Sequence, residues 1–218
     1  MDSVYRRQRH IYDITRKYYL FGRDRMIRDL NLSPGERVVE VGCGTARNLA
    51  VMARHYPQAK LYGLDASAEM LCTAGDLLSR AGLQSRVRLA HGYAENMAAA
   101  QFGEDAFDRV IFSYSLSMIP DWRQALGTAA AALAPNGRIH VVDFGDLEGL
   151  GRIGRRAMLY WLGLFHVAPR TELLGFFEAL GDSLKEINGL RVLPGRYAFI
   201  GACSAAEARQ VAGKYVAA

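Results

Sequence analysis

Cysteine is scarce in this chain: Cys43, Cys72 and Cys203 are three residues in 218, odd in number, widely spaced and without a C-x-x-C pair. That excludes a disulfide framework and a cysteine-based metal or redox motif, and it points to free thiols in a reducing cytoplasm. Histidine is also sparse, and the five histidines form no cluster with carboxylates, so no metal is expected. A long apolar run is missing. Residues 157–168 come nearest, with twelve nearly all apolar residues where a membrane-spanning helix needs about 20. The stretch Met1–Arg7 lacks the apolar core of a signal peptide, so secretion is not expected. No linker or repeat divides the chain, and residues 1–218 suffice for a single domain with a sizeable core. Positive charge is in surplus: 27 Lys and Arg against 22 Asp and Glu give a net charge of +5, which suits an anionic partner.

What is present alternates strand and helix. Apolar runs at Arg37–Val41, Lys60–Leu64, Val87–Ala90, Phe107–Phe112 and Arg138–Val142 read as buried strands. Helices are expected at Thr45–Tyr56, Ser67–Arg80 and Asp121–Leu133, with Ser67 and Asp121 as caps and Pro135-Asn136-Gly137 stopping the last. Segments Ser183–Gly189 and Tyr197–Ser204 around Pro194-Gly195 read as a closing antiparallel hairpin. The expected fold is α/β: a Rossmann-like, doubly wound, seven-stranded sheet with that terminal hairpin and a helical N-terminal cap over residues 1–32.

The stretch Val38-Val39-Glu40-Val41-Gly42-Cys43-Gly44-Thr45-Ala46-Arg47 carries the most information, because a buried strand runs into a glycine turn that opens a helix. Gly42 and Gly44 can take positive φ and expose backbone to a ligand. The next strand ends in Asp65, whose carboxylate can accept hydrogen bonds from both hydroxyls of a ribose. Together these make a nucleoside site. A dinucleotide fingerprint wants a third glycine where this chain has Arg47, which weakens that reading. Glu40-x-Gly42-x-Gly44 with Asp65 instead resembles motifs I and II of the class I S-adenosylmethionine (SAM) methyltransferases. SAM has no pyrophosphate, and its amino-acid end needs both acceptors and donors, which a turn of mixed carbonyls and amides supplies. The alternative is a generic α/β turn with a surface Asp. Cys43 could be read as a nucleophile, but the middle residue of such a turn contributes its backbone.

Ligands of doubly wound sheets sit beyond the carboxyl ends of the strands. The resemblance therefore implies cofactor contacts from Glu40, Gly42, Cys43, Gly44 and Asn48 after the first strand, and from Asp65, Ala66 and Met70 after the second. It implies Ala94 and Glu95, in Gly92-Tyr93-Ala94-Glu95, at the adenine, and Ser113, in Ser113-Tyr114-Ser115, near the transferred methyl. Met70 reads equally as core. His91 reads as structural, and His140, within a strand, as a satisfied core residue.

Two segments speak to the acceptor. Residues 10–28 crowd aromatics with Arg16, Lys17, Arg23, Arg25 and Arg28, which suits an anionic lipid or nucleic acid, although an amphipathic helix merely covering the sheet would share part of the pattern. Residues 150–168 place Arg152, Arg155 and Arg156 before the oily run, as an interfacial or lid helix would, or as a buried core helix would. RNA binding would favour exposed aromatics interleaved with cations, so no nucleic acid is expected.

The string Tyr12-Asp13-Ile14-Thr15-Arg16-Lys17-Tyr18-Tyr19-Leu20-Phe21-Gly22-Arg23-Asp24, followed by these motifs, resembles the bacterial betaine-lipid N-methyltransferases of the BtaB type. The resemblance implies threefold methylation of the amine of diacylglyceryl-homoserine to diacylglyceryl-trimethylhomoserine, with SAM as cofactor. It also implies an enzyme in the cytoplasm, peripherally associated with the inner face of an anionic membrane. Phosphatidylethanolamine N-methylation, methylation of a quinone precursor or of RNA, and a non-catalytic SAM-fold binding module are the alternatives; the oligomeric state is open. An alkyl amine arrives protonated, with a pKa of about 10, so burial and a neutral acceptor that orients its N–H bonds are required. Tyr12, Tyr19, Tyr114 and Tyr197 are the candidates, since tyrosine also offers a π face to a methylated ammonium. Tyr18 is expected at the substrate. Arg196 is expected at the homoserine carboxylate, and Arg23 at the carboxylate of SAM.

Overall fold

The computed structural model describes residues 20–164, 167–180 and 189–213. Its centre is a seven-stranded sheet of β1 (Arg37–Val41), β2 (Lys60–Asp65), β3 (Val87–His91), β4 (Phe107–Ser113), β5 (Leu133–Phe144), β6 (Leu190–Val192) and β7 (Ala198–Ser204). The strand order is β3-β2-β1-β4-β5-β7-β6. Strands β1 to β5 pair in parallel, whereas β7 runs antiparallel to both β5 and β6. This is the expected Rossmann-like α/β architecture. The order reverses between β1 and β4, and that switch point opens a crevice at the carboxyl ends of the strands.

Helices cover both faces, which is why the central strands read as continuous apolar runs rather than alternating ones. Val39, Val41, Val110, Phe112, Ile139 and Val141 meet α4 (Trp122–Ala131), α6 (Thr171–Ala179) and α7 (Ala205–Gly213). Val38, Leu61, Ile111, Val142 and Ile200 meet α1 (Arg23–Asp29), α2 (Arg47–His55), α3 (Ala68–Arg80) and α5 (Gly151–Gly163). The caps form as expected: Ser67 Oγ accepts from Met70 N at 3.3 Å and Asp121 Oδ1 from Gln124 N at 3.0 Å.

Three boundaries depart from the sequence reading. The helix α4 ends at Ala131, and Pro135-Asn136-Gly137 lies within β5 rather than beyond a helix. Pairing jumps from Phe107↔Leu133 to Arg109↔Arg138, so the proline sits in a bulge and its missing N–H costs no ladder bond. The helix α2 starts at Arg47 rather than Thr45, because Ala46 takes a left-handed φ of 60° and extends the turn. The first arm of the hairpin is β6 at Leu190–Val192, after the Ser183–Gly189 expected, of which 183–188 fall outside the described residues. Of the N-terminal cap, α1 is observed, with Leu20, Met26, Ile27 and Leu30 buried against the sheet; residues 1–19 are not described.

Candidate active site

The turn after β1 is built by two glycines at positive φ, Gly42 at 72° and Gly44 at 54°, followed by Ala46. Backbone amides of Gly42 and Cys43 both donate to Leu64 O, at 2.8 and 3.0 Å, which pins the turn to the end of β2. Asp65 completes the fixture. Its Oδ2 accepts from Gly44 N at 2.7 Å and its Oδ1 from Ser67 N at 2.9 Å. A carboxylate offers about four lone-pair positions, so a half-buried Asp65 keeps acceptor capacity for two ribose hydroxyls while it shapes the turn.

Beneath the turn lies a buried polar knot. Asn48 Nδ2, in the first turn of α2, donates to Glu40 Oε1 at 2.7 Å and to Ser113 Oγ at 3.0 Å, tying β1 to β4. All three residues are buried. Ser115 Oγ donates to Val41 O at 2.9 Å and closes the crevice from the β4 side. Thus Glu40, Gly42, Cys43, Gly44, Asn48, Asp65 and Ser113 meet at the carboxyl ends of β1, β2 and β4. Met70 is buried at the start of α3, and Ala66 is exposed, its carbonyl 3.1 Å from His91 Nε2. Ala94 and Glu95 begin a 3-10 turn after β3, where Thr128 Oγ1 donates to Glu95 O at 3.0 Å.

This donor set fits SAM and not a dinucleotide. Arg47, where a third glycine would pack the helix closely on the strand, is instead paired with Asp24 of α1 through both terminal guanidinium nitrogens, so the dinucleotide fingerprint is incomplete. The same pair clasps the N-terminal segment beside the turn. Burial, with Glu40 and Asp65 nearby, pushes the Cys43 thiol up, so it is not a nucleophile. Cys203 is pushed up to about 12, chiefly by burial, while Cys72 is exposed. One thiol, Cys72, is therefore expected to react with iodoacetamide in the native protein and all three after unfolding, counted by mass spectrometry; rapid native labelling of Cys43 would contradict the burial assigned to it.

Next to the turn, rings meet edge to face: Tyr114 on Phe144 at 4.7 Å, Phe144 on Tyr197 at 5.8 Å, and Tyr197 on Phe21 at 5.6 Å. Tyr114 has a φ of 55° and is 2 % exposed, and its hydroxyl donates to Phe21 O at 2.6 Å. Its proton is thereby committed to holding the N-terminal segment, and burial raises the phenol well above its usual range. Tyr197 is buried, whereas Phe21 is 58 % exposed and presents the open end of the aromatic wall. Arg196, expected at a substrate carboxylate, is instead committed to the protein: its Nε lies 2.7 Å from Asp146 Oδ2 and its Nη2 2.8 Å from Glu178 Oε1. Arg23 Nε donates to Leu20 O at 3.2 Å. Tyr12, Tyr18 and Tyr19 lie outside the described residues.

Sequence reasoning passed over Asp143, at the carboxyl end of β5. It is buried, accepts from Ser117 N at 3.0 Å and from Phe144 N at 2.8 Å, and so anchors the segment after β4. The signal was available, since Asp143 follows Ile139-His140-Val141-Val142 at the same edge as Asp65. Burial pushes its pKa up to about 6. The folded chain then holds that proton more tightly than an unfolded one, so the contribution of Asp143 is best in acid and falls as pH rises from about 4 through about 6, by up to about 3 kcal/mol. The stability difference between the parent and Asp143→Asn, from urea midpoints, is expected to fall across that interval; a constant difference would contradict it.

Comparison with known proteins agrees with this fold. Residues 38–137 match a family described as "Methyltransferase domain". A demethylmenaquinone methyltransferase of Listeria monocytogenes serotype 4a is 27 % identical over 179 residues, 82 % of this chain and 70 % of the relative. One from Geobacillus stearothermophilus is 30 % identical over 125 residues, 57 % of this chain and 52 % of the relative. Among solved structures, the S-adenosylmethionine-dependent methyltransferase SibL in its apo form aligns with a TM-score of 0.62 at 23 % identity, over 89 % of this chain and 57 % of that one. The mitomycin 7-O-methyltransferase MmcR aligns with a TM-score of 0.62 at 22 % identity, over 85 % of this chain and 53 % of that one. The chain thus spans little more than half the length of these two structures, which share its fold.

Proposed function

We propose that this chain, which matches a methyltransferase-domain family over residues 38–137, is a class I SAM-dependent methyltransferase that methylates the amine of a lipid headgroup, diacylglyceryl-homoserine, toward its trimethylated betaine form. The observation that carries the reading is the exposed ring of Phe21, 58 % exposed and held in place by the buried rings of Tyr197, Phe144 and Tyr114 behind it. Bound SAM supplies an electrophilic methyl on a sulfonium, and the protein need only deliver a neutral amine in line with it. An apolar surface at Phe21 does this by disfavouring the ammonium. Each methyl added removes an N–H donor, so hydrogen-bond acceptors lose their hold as the reaction proceeds. Ring faces do not, because their attraction for an alkylated ammonium persists. Tyr114 acts in this scheme through its grip on Phe21, and Asp65 and the turn hold the nucleoside.

The names of the Listeria and Geobacillus relatives favour a second reading, in which the acceptor is a demethylated menaquinone and the ring wall lies along a planar quinone. Incubation with methyl-labelled SAM and a bacterial lipid extract separates them. Label is expected in the headgroup of diacylglyceryl-homoserine or its partly methylated forms. Label confined to menaquinone or to phosphatidylethanolamine would replace this reading, and no label in any lipid would reject a lipid acceptor.

A further inference from the structure

The helix α5 is amphipathic twice over. Leu162 is buried and Met158 and Trp161 pack on the core, which fixes one side of the helix to the domain. The opposite side should then be polar, as on an ordinary solvated helix. Instead Ile153 is 88 % exposed, Tyr160 74 % and Leu164 55 %. With Arg156 these residues stand at i, i+3, i+7 and i+11, one continuous stripe. Beside it runs an open cleft of about 680 Å³ lined by Arg152, Arg155, Arg156, Leu159, Tyr160 and Glu148, three guanidinia against one carboxylate. Arg155 Nε is held by Asp146 O at 2.9 Å, and among the described residues Arg152 and Arg156 have no carboxylate partner.

We propose that α5 docks the protein on an anionic lipid bilayer, with Arg152 and Arg156 at lipid phosphates and Ile153, Tyr160 and Leu164 in the boundary between headgroups and acyl chains. Guanidinia pair with phosphate in a bidentate fork, and an exposed aliphatic stripe flanked by cations is the pattern of helices that lie in a membrane interface. A second copy of the chain fits poorly. A two-fold contact sets a patch against itself, which would bring Arg152 and Arg156 against their own equivalents. The helix also follows the carboxyl end of β5 in the chain, the sheet edge that carries the glycine turn and Asp65. This docking rests on the lipid-acceptor reading for its purpose, while its chemistry is independent of it.

The test is sedimentation of the full chain with vesicles of two parts phosphatidylcholine to one part phosphatidylglycerol, against phosphatidylcholine alone, at low and high salt. The parent should prefer the anionic vesicles. The paired change Arg152→Gln with Arg156→Gln should lower that partition about twenty-five-fold at low salt, roughly fivefold for each cation. Ile153→Ser with Tyr160→Ser should lower it further at high salt, where the apolar contribution remains. Both variants should bind SAM in calorimetry as the parent does, which shows that they fold. Variants that sediment like the parent, or a parent indifferent to lipid charge, would overturn the proposal. Release of the parent by millimolar inorganic phosphate would overturn it in favour of a free-anion pocket, and a dimer dissociated by Ile153→Ser in favour of a self-contact. Anionic-vesicle binding without methylation of any lipid would uphold the docking surface and reject the acceptor reading instead.

Discussion

Replacing Asp65 with alanine lowers the affinity for SAM about a hundredfold and leaves the chain folded. The side chain holds Gly44 N at 2.7 Å and Ser67 N at 2.9 Å, so the substitution releases the glycine turn and the entry to α3 together. It also removes the acceptor to which ribose hydroxyls would donate. Hydrogen bonds to a charged group contribute about 1.5–3 kcal/mol each, and the loss of two such bonds to a ligand corresponds to a factor of roughly a hundred or more. The fold should survive because Asp65 stands at the tip of β2, outside both apolar cores. Isothermal calorimetry with SAM, beside a thermal melt of the same sample, reads both quantities. Unchanged affinity would remove Asp65 from the nucleoside site.

Gly42→Val should cost more than binding. At a φ of 72° a β-branched side chain is strained whatever its surroundings, and a Cβ there would stand 2.7 Å from Ser115 Cβ. Ser115 cannot step aside freely, because its Oγ is bonded to Val41 O and Tyr114 before it is locked to Phe21 O. Overpacking and strain together are expected to destabilise by about 3 kcal/mol or more, near 10 °C in melting temperature for a chain of this size. SAM binding should vanish with it. A melt within about 2 °C of the parent would show that the turn is looser than its contacts imply.

The parts of this architecture that could be read in the sequence are those set by local chemistry. Val38-Val39-Glu40-Val41 must be buried on both faces, glycines must follow where φ turns positive, and Asp65 ends the second apolar run; each follows from residue type and spacing. Arg196 shows the limit. Its guanidinium, beside Tyr197, suggested a clamp for the homoserine carboxylate, whereas its partners Asp146 and Glu178 stand 50 and 18 residues away and only the fold brings them together. His140 is a similar case. It was expected to be satisfied in the core, yet its Nε2 has no partner among the described residues, and burial beside Arg109 and Arg138 pushes its pKa down to about 3. The run 157–168 could be core or interface on composition alone. Only the packing shows, among its described residues, that Leu162 faces inward and Tyr160 outward.

The whole account depends on one pocket, the turn Gly42–Gly44 closed by Asp65. A crystal structure of the chain with S-adenosylhomocysteine, the demethylated product of SAM, tests it most directly. Both ribose hydroxyls should lie within hydrogen-bond reach of the Asp65 carboxylate, with the amino-acid end against the turn above Glu40 and Asn48. A ligand seated away from that turn, or a ribose that does not meet Asp65, would contradict the account.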